Sequence, residues 1–386
     1  MKFVFVSGSF LLLLFAGRSI SAPAQASSQD NFETLSRRAA AALDTQPGEA
    51  VQLYQRALKL HPVWPEGWFY LGASEYQLKH FPQATIAFSQ AVELAPQNGP
   101  ARAFLGLAEY QLREFDKSLT DLQRGTSLGT EGNPRFSSDV HTHLAVLLSR
   151  QAHFGPALEQ LEPLAKAGDN SEPVITAFGL AVLQQSLLPP DIPADKRSVV
   201  EGAGRAVWSF YAEKPDEAQA LFEQLVKEHG SERGVHYAYA MSLVPRDPDL
   251  ALGELRRELG INPNHLYACV EAALLEMKRG EFGESLKLAA RGVQLGPDYS
   301  LAHAALGRAL LKAGQSEKAM SELETAIRLA PQDALLHFYL EQAYLRAGRN
   351  ADAEKEKAEY YRLKASATVP LGGMQPQIGG ELSRPR

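Results

Sequence analysis

The sequence predicts an all-α chain built from repeated helix pairs, and three observations carry that expectation. Prolines recur with a 34-residue period, at Pro62 and Pro96 and again at Pro263, Pro297 and Pro331. A fixed pattern of a large residue, Leu-Gly, Ala, a large apolar residue, Ala and Pro runs through Trp68, Leu71, Gly72, Ala84, Phe88, Ala91 and Pro96. It returns with the same spacings through His303, Leu306, Gly307, Ala319, Leu323, Ala326 and Pro331. The tetrapeptide Glu75-Tyr76-Gln77-Leu78 recurs unchanged as Glu109-Tyr110-Gln111-Leu112, again 34 residues on.

The spacing has a physical reason. Trp68, Leu71 and Gly72 share one stripe of a first helix, and Ala84, Phe88 and Ala91 form the facing stripe of a second. Gly72 and Ala84 are small where the two helices approach, and Phe88 fills the space between them. A bulky residue at Gly72 would overpack that contact by ~1–3 kcal/mol. Pro96 cannot continue the second helix and fixes where the chain turns.

Taken in order, the first unit begins near Asn31. Its first helix, Arg37 to Leu43, lacks the Leu-Gly pair, as a terminal repeat does, and its second carries Ala50, Tyr54, Ala57 and Pro62. Clear units follow from Pro65 and Gly99, and a weaker one from Ser138, marked by Ala157 and Leu161. A further helix is expected over Pro173 to Leu188, until Pro189-Pro190-Asp191-Ile192-Pro193 breaks the pattern. Helices resume at about Val199, with Ala218 and Phe222 at their expected places. Units then begin near Glu232, Leu266, Ser300 and Ala334, the last ending near Leu363. That makes about nine or ten repeats. The organisation predicted is a signal peptide at 1–26, one array at 27–188, a Pro-rich insertion at 189–198, a second array at 199–363 and a flexible tail at 364–386. The insertion reads either as a long inter-helix loop or as a hinge or partner-contacting lobe.

The amino terminus reads as a secretory signal. Lys2 precedes an apolar run from Phe3 to Ala16, and Ala24-Gln25-Ala26 fits the small-x-small cleavage rule, which places the mature start at Ser27. The run is short of the ~20 residues of a spanning helix. The expected location is periplasmic or secreted. The remaining composition is that of a folded protein, 45% hydrophobic and 22% charged. With 39 Lys+Arg against 45 Asp+Glu, a net charge of −6, the chain lacks the basic excess that neutralises nucleic-acid phosphates. The single cysteine, Cys269, forms no intrachain disulfide, CxxC pair or cysteine-based zinc site.

With these residues at these spacings, the chain resembles the tetratricopeptide-repeat family over nearly the whole mature length, in the style of an exported bacterial member. The resemblance implies a solenoid of helix-turn-helix units wound as a right-handed superhelix, with a concave face lined by positions two, five, nine and twelve of each first helix. Carried onto this sequence, the lining is Phe69, Ala73 and Tyr76; Leu107 and Tyr110; Phe210; Tyr267, Leu274 and Met277; Arg308; and Phe338 and Gln342. Chaperone-binding members clamp a terminal carboxylate with lysine, arginine and asparagine at positions five and nine. Here those positions are Phe69/Ala73, Ala103/Leu107, Val270/Leu274 and Ala304/Arg308, so the clamp is absent and no chaperone-tail binding is expected. What remains is an apolar groove with aromatic anchors, suited to a helix or extended peptide of a protein partner, in which Arg308 pairs with an acid. The alternative is that tight winding buries these side chains between repeats.

Other chemistry finds little footing. Gly125-Thr126-Ser127-Leu128-Gly129 matches a nucleophile-elbow pattern, but at the end of a second helix rather than at a strand-to-helix turn. Cys269, His303 and His337 are spaced by 34 and suggest a metal column. Yet successive helix axes lie ~8–10 Å apart, while zinc gathers its ligands at ~2 Å. His141 and His143 point to different faces of a helix. No metal, cofactor or catalytic residue is expected. The predicted function is a non-enzymatic protein-interaction scaffold in envelope or export assembly, touching membranes only through its partners. A self-assembling spacer and, less favoured, a hydrolase are the alternatives.

Overall fold

The computed structural model describes residues 31–130 and 133–367. The predicted signal peptide and cleavage site lie outside the described residues, as does the tail beyond 367. Among the described residues there are 19 α-helices and no strand, and no helix is long and apolar enough to cross a membrane. The chain forms two compact units that part between Leu148 and Ser149.

The first unit contains α1 (Phe32–Ala42), α2 (Pro47–Leu60), α3 (Pro65–Gln77), α4 (Phe81–Leu94), α5 (Gly99–Gln111), α6 (Phe115–Leu128) and most of α7 (Pro134–Arg150). The second contains α8 (Phe154–Lys166), α9 (Glu172–Val182), α10 (Arg197–Tyr211), α11 (Pro215–His229), α12 (Val235–Leu243) and α13 (Pro248–Ile261). It continues through α14 (Leu266–Arg279), α15 (Phe282–Leu295), α16 (Ser300–Lys312), α17 (Ser316–Leu329), α18 (Ala334–Arg346) and α19 (Asn350–Ala367). Within each unit, helices pack chiefly on their neighbours in sequence, which is the order of a helical solenoid.

The repeat residues do what their sizes predict. A Cβ added to Gly72 would sit 2.7 Å from the Phe88 ring; at Gly106 it would meet Leu122 Cγ at 2.8 Å, and at Gly307 Leu323 Cγ at 2.7 Å. Phe88, Leu122 and Leu323 are fully buried, so each first helix leans on a large side chain of its second. Where the alanine at the Ala84 position is replaced by serine, the hydroxyl is used. Ser118 donates to the Gly106 carbonyl at 2.7 Å and Ser285 to that of Ala273 at 2.8 Å.

The turn inside each repeat is equally regular. First helices end with a left-handed residue, Lys79, Arg113, Glu213, Gly280, Gly314 or Gly348, all with φ between 59° and 86°. The next amide then reaches back to close the turn, as His80 N–H does to Glu75 O and Gln315 N–H to Leu310 O, both at 2.9 Å. Prolines at the start of α2, α4, α11 and α13 then open a second helix where a missing N–H costs nothing.

Two segments differ from the sequence expectation. The helix expected to run to Leu188 stops at Val182. Gln184 adopts φ 54°, and the Gln185 amide closes on Leu180 O at 2.8 Å, the same turn that ends a first helix. No second helix follows. The Pro-rich segment instead makes two short 3-10 turns, Pro189–Asp191 and Ala194–Lys196, and buries Leu188 and Ile192. Lys196 pairs with Glu232 at 2.6 Å. The flanking helices α9 and α10 pack directly together, so the segment links two neighbouring helices, with Pro190, Asp191, Pro193, Ala194 and Asp195 exposed. Secondly, α19 continues past Leu363 to Ala367, so residues 364–367 are helical where an aperiodic tail was expected.

Candidate functional site

In the first unit the predicted lining side chains are largely occupied by the solenoid itself. Phe69 of α3 meets Phe104 of α5 at 5.5 Å between ring centroids, and Phe104 stacks on Phe136 of α7 at 4.3 Å. Tyr76 packs edge-on against Phe81 at 5.4 Å and hydrogen-bonds Gln111; burial, with Asp139 nearby, pushes its hydroxyl up to about 12. Tyr110 lies 4.5 Å from the ring of His143, whose burial lowers its affinity for a proton. Phe69, Tyr76 and Tyr110 pack against neighbouring rings of the solenoid and are at the same time only half-buried. Ala73 and Leu107, each 3% exposed, are interior.

In the second unit Met277 is 7% exposed and interior, while Phe210, Tyr267, Leu274, Arg308, Phe338 and Gln342 are half-buried, as Phe69, Tyr76 and Tyr110 are in the first. The structure does not gather all of them. Phe210 contacts Tyr211 at 5.4 Å in α10, and Phe338 contacts Tyr360 of α19 at 5.7 Å. Leu274 and Arg308 do come together, in a shallow recess also lined by Leu301, Ala304, Leu335 and Tyr339, from α14, α16 and α18. Apolar side chains dominate that recess; its charged residues are Arg308 and Asp333, whose Oδ1 accepts the Leu335 N–H at 2.9 Å. The Arg308 guanidinium stacks over the Tyr339 ring at 4.4 Å, and among the described residues it makes no ion pair.

Beside the recess lies a group that sequence reasoning missed. Tyr267 approaches Tyr299 edge-on at 5.2 Å and Tyr237 at 6.5 Å. Glu271 is one turn from Tyr267 on the same helix face. Burial pushes its carboxyl up to about 6, partly offset by Lys278 and Arg308. Glu271 occupies position six of its repeat, outside the lining positions the family supplies. The available signal was a carboxylate four residues after a lining tyrosine.

The histidines that suggested a metal column are internal supports. His303 Nδ1 lies 2.6 Å from Glu322 of its own repeat, and its Nε2 donates to the Pro297 carbonyl at 2.9 Å. Trp68 does the same with its indole N–H, donating to the Pro62 carbonyl at 2.8 Å. His337 pairs with Glu356 at 2.7 Å, and buried Cys269 has its thiol pushed up by desolvation. Ser127 spends its hydroxyl on the Arg124 carbonyl in the last turn of α6.

A family model of the tetratricopeptide repeat matches residues 65–98, spanning α3 and α4, and a second matches residues 276–337. The chain carries tetratricopeptide repeats. The Gly72–Phe88 and Gly307–Leu323 contacts are the packing core of two such repeats. No curated protein matches the sequence. Among solved structures, a MamA RS-1 ArsTM double mutant is 18% identical, with 45% of this chain and 98% of that one covered and a TM-score of 0.41. MamA 41-end from Desulfovibrio magneticus RS-1 is 19% identical, with 44% and 97% covered and a TM-score of 0.41. At such scores the likeness carries no inference about what this tetratricopeptide-repeat chain binds.

Proposed function

We propose that the chain is a non-enzymatic protein-interaction scaffold that holds a helix or extended segment of a partner on the first-helix face of its second unit. The observation that carries this reading is the open apolar recess formed by Leu274, Leu301 and Leu335 beside the stacked Arg308–Tyr339 pair. A half-buried apolar surface whose rim carries Arg308 and Asp333 suits an apolar side chain flanked by polar or charged groups. Export through the segment containing Lys2, Phe3 to Ala16 and Ala24-Gln25-Ala26, followed by work in an envelope or export assembly, belongs to the same proposal.

The test is affinity capture from an envelope extract with the full chain and with a Leu301→Glu/Leu335→Glu variant of unchanged helicity. Both leucines are half-buried, so the variant alters the recess with less cost to the core. A protein retained by the first and lost by the second supports the reading. A protein retained equally by both places the contact elsewhere.

A further inference from the structure

We propose that Glu271, ringed by Tyr237, Tyr267 and Tyr299, is a subsite for the cationic side chain, Lys or Arg, of a partner segment. The inference rests on the reading that a partner lies on this face, and it adds the chemistry that the partner must present there.

The rings come from three successive repeats. Tyr267 sits at the start of α14, Tyr237 belongs to α12, and Tyr299 immediately precedes α16. Glu271 follows Tyr267 by one helical turn, the Tyr299 and Tyr237 rings lie 5.2 and 6.5 Å from that of Tyr267, and the charge of Glu271 disfavours ionisation of both Tyr237 and Tyr299. All four side chains are half-buried, so an entering group has access. Among the described residues, none of the three hydroxyls and neither carboxylate oxygen has a hydrogen bond or ion pair. Arg308 is the obvious internal partner, yet its guanidinium is turned onto Tyr339 instead.

Burial pushes the Glu271 carboxyl up to about 6; Lys278 and Arg308 offset part of that rise from a distance, but neither forms an ion pair with it among the described residues. A ligand cation would supply the missing partner. It would meet a charge less screened than at an open surface, and tyrosine faces that attract cations in their own right. An acidic side chain would meet repulsion from Glu271, and a neutral one would leave it unpaired. The chain's net charge of −6 also favours approach of a basic segment.

The experiment titrates the full chain, labelled with 3-fluorotyrosine, with N-acetyl-arginine methylamide and with its uncharged citrulline isostere. It is read by fluorine NMR near pH 7.5, where Glu271 is ionised. Single Tyr→Phe variants assign the three resonances. The expected result is saturable shifts at Tyr237, Tyr267 and Tyr299 with the arginine probe. Binding should weaken by about tenfold or more for citrulline and for the Glu271→Gln variant. Far-UV circular dichroism establishes that the variant is folded. Absence of saturation by about 50 mM, equal citrulline binding, or unchanged binding by Glu271→Gln overturns the proposal. If Glu271→Gln still captures the protein that the Leu301/Leu335 variant loses, the partner face stands and the cation subsite alone fails.

Discussion

Gly179 of α9 and Gly204 of α10 face each other's backbones: a Cβ on Gly179 would fall inside the Val200 carbonyl oxygen, and one on Gly204 inside that of Ile175. Neither obstacle is the end of a flexible side chain, so the helices themselves would have to separate. Gly179→Ala and Gly204→Ala should each lower stability by at least about 2 kcal/mol in urea unfolding. Gly253, inside α13 with open space around its Cα, is the contrast. Gly253→Ala should gain up to ~1 kcal/mol from helix propensity. Equal effects at the three sites would contradict the packing described.

Glu75 and Glu109 occupy the same place in two copies of one tetrapeptide, but their surroundings differ. Glu75 has His80 Nδ1 at 2.8 Å, whereas the fifth residue after Glu109 is another carboxylate, Glu114. Burial first, then Asp121 and Glu114, push Glu109 up to about 8, and its Oε2 lacks a partner. A carboxyl raised in the folded state loses stability as pH rises from 4.5 through 8. Glu114→His should therefore raise the melting temperature at neutral pH, by the equivalent of about 1 kcal/mol. The exposed Lys117–Glu114 pair it removes contributes little. Glu109→Gln should flatten the decline in stability between pH 4.5 and 8.

Ala152 and Lys79 hold left-handed turns, with φ of 60° and 61°, at the place where α14, α16 and α18 are followed by glycine. The backbone cost for an L-residue there is ~1–2 kcal/mol, against ~0.4–1 kcal/mol of extra unfolded-state freedom for glycine. Ala152→Gly and Lys79→Gly should each give a net gain of roughly 0.5 kcal/mol in thermal unfolding. Gly314→Ala should lose a comparable amount.

His265 caps α14, its Nδ1 accepting the Ala268 N–H at 3.3 Å, and burial pulls its pKa down to about 4. A base whose folded pKa lies below its unfolded value of 6.5 contributes stability above pH 6.5, and that contribution is lost as pH falls toward 4. The loss at this site is at most about 3 kcal/mol. His265→Asn keeps a capping acceptor without the titration. It should show a shallower fall in melting temperature between pH 6.5 and 4 than the parent chain. Parallel curves would contradict the assignment.

Periodic contacts were legible in the sequence because each has a fixed offset. Gly72 against Phe88 follows from size and spacing alone, and the structural use of His303 follows from its sharing a position with Trp68. What repeats in space but not in sequence was not legible. The α9–α10 packing depends on two glycines that match no repeat position, so the Pro-rich segment between them read as a break. Family positions name a helix face but not what each side chain meets there. Tyr76 and Tyr110 lie on that face against rings of the next repeat, and Leu274 and Arg308 border the recess. Glu271 escaped because its importance comes from Tyr299 and Tyr237, distant in sequence, rather than from its own repeat position.

The measurement that bears most directly on the account is site-specific photo-crosslinking in the producing cells. A benzoylphenylalanine at Leu335, in the recess of the second unit, is compared with one at Leu329, exposed at the end of α17. A discrete protein adduct at Leu335 that is absent at Leu329, and lost when Leu301→Glu is added, is the predicted result. Adducts at Leu329 with none at Leu335 would contradict partner binding on the first-helix face.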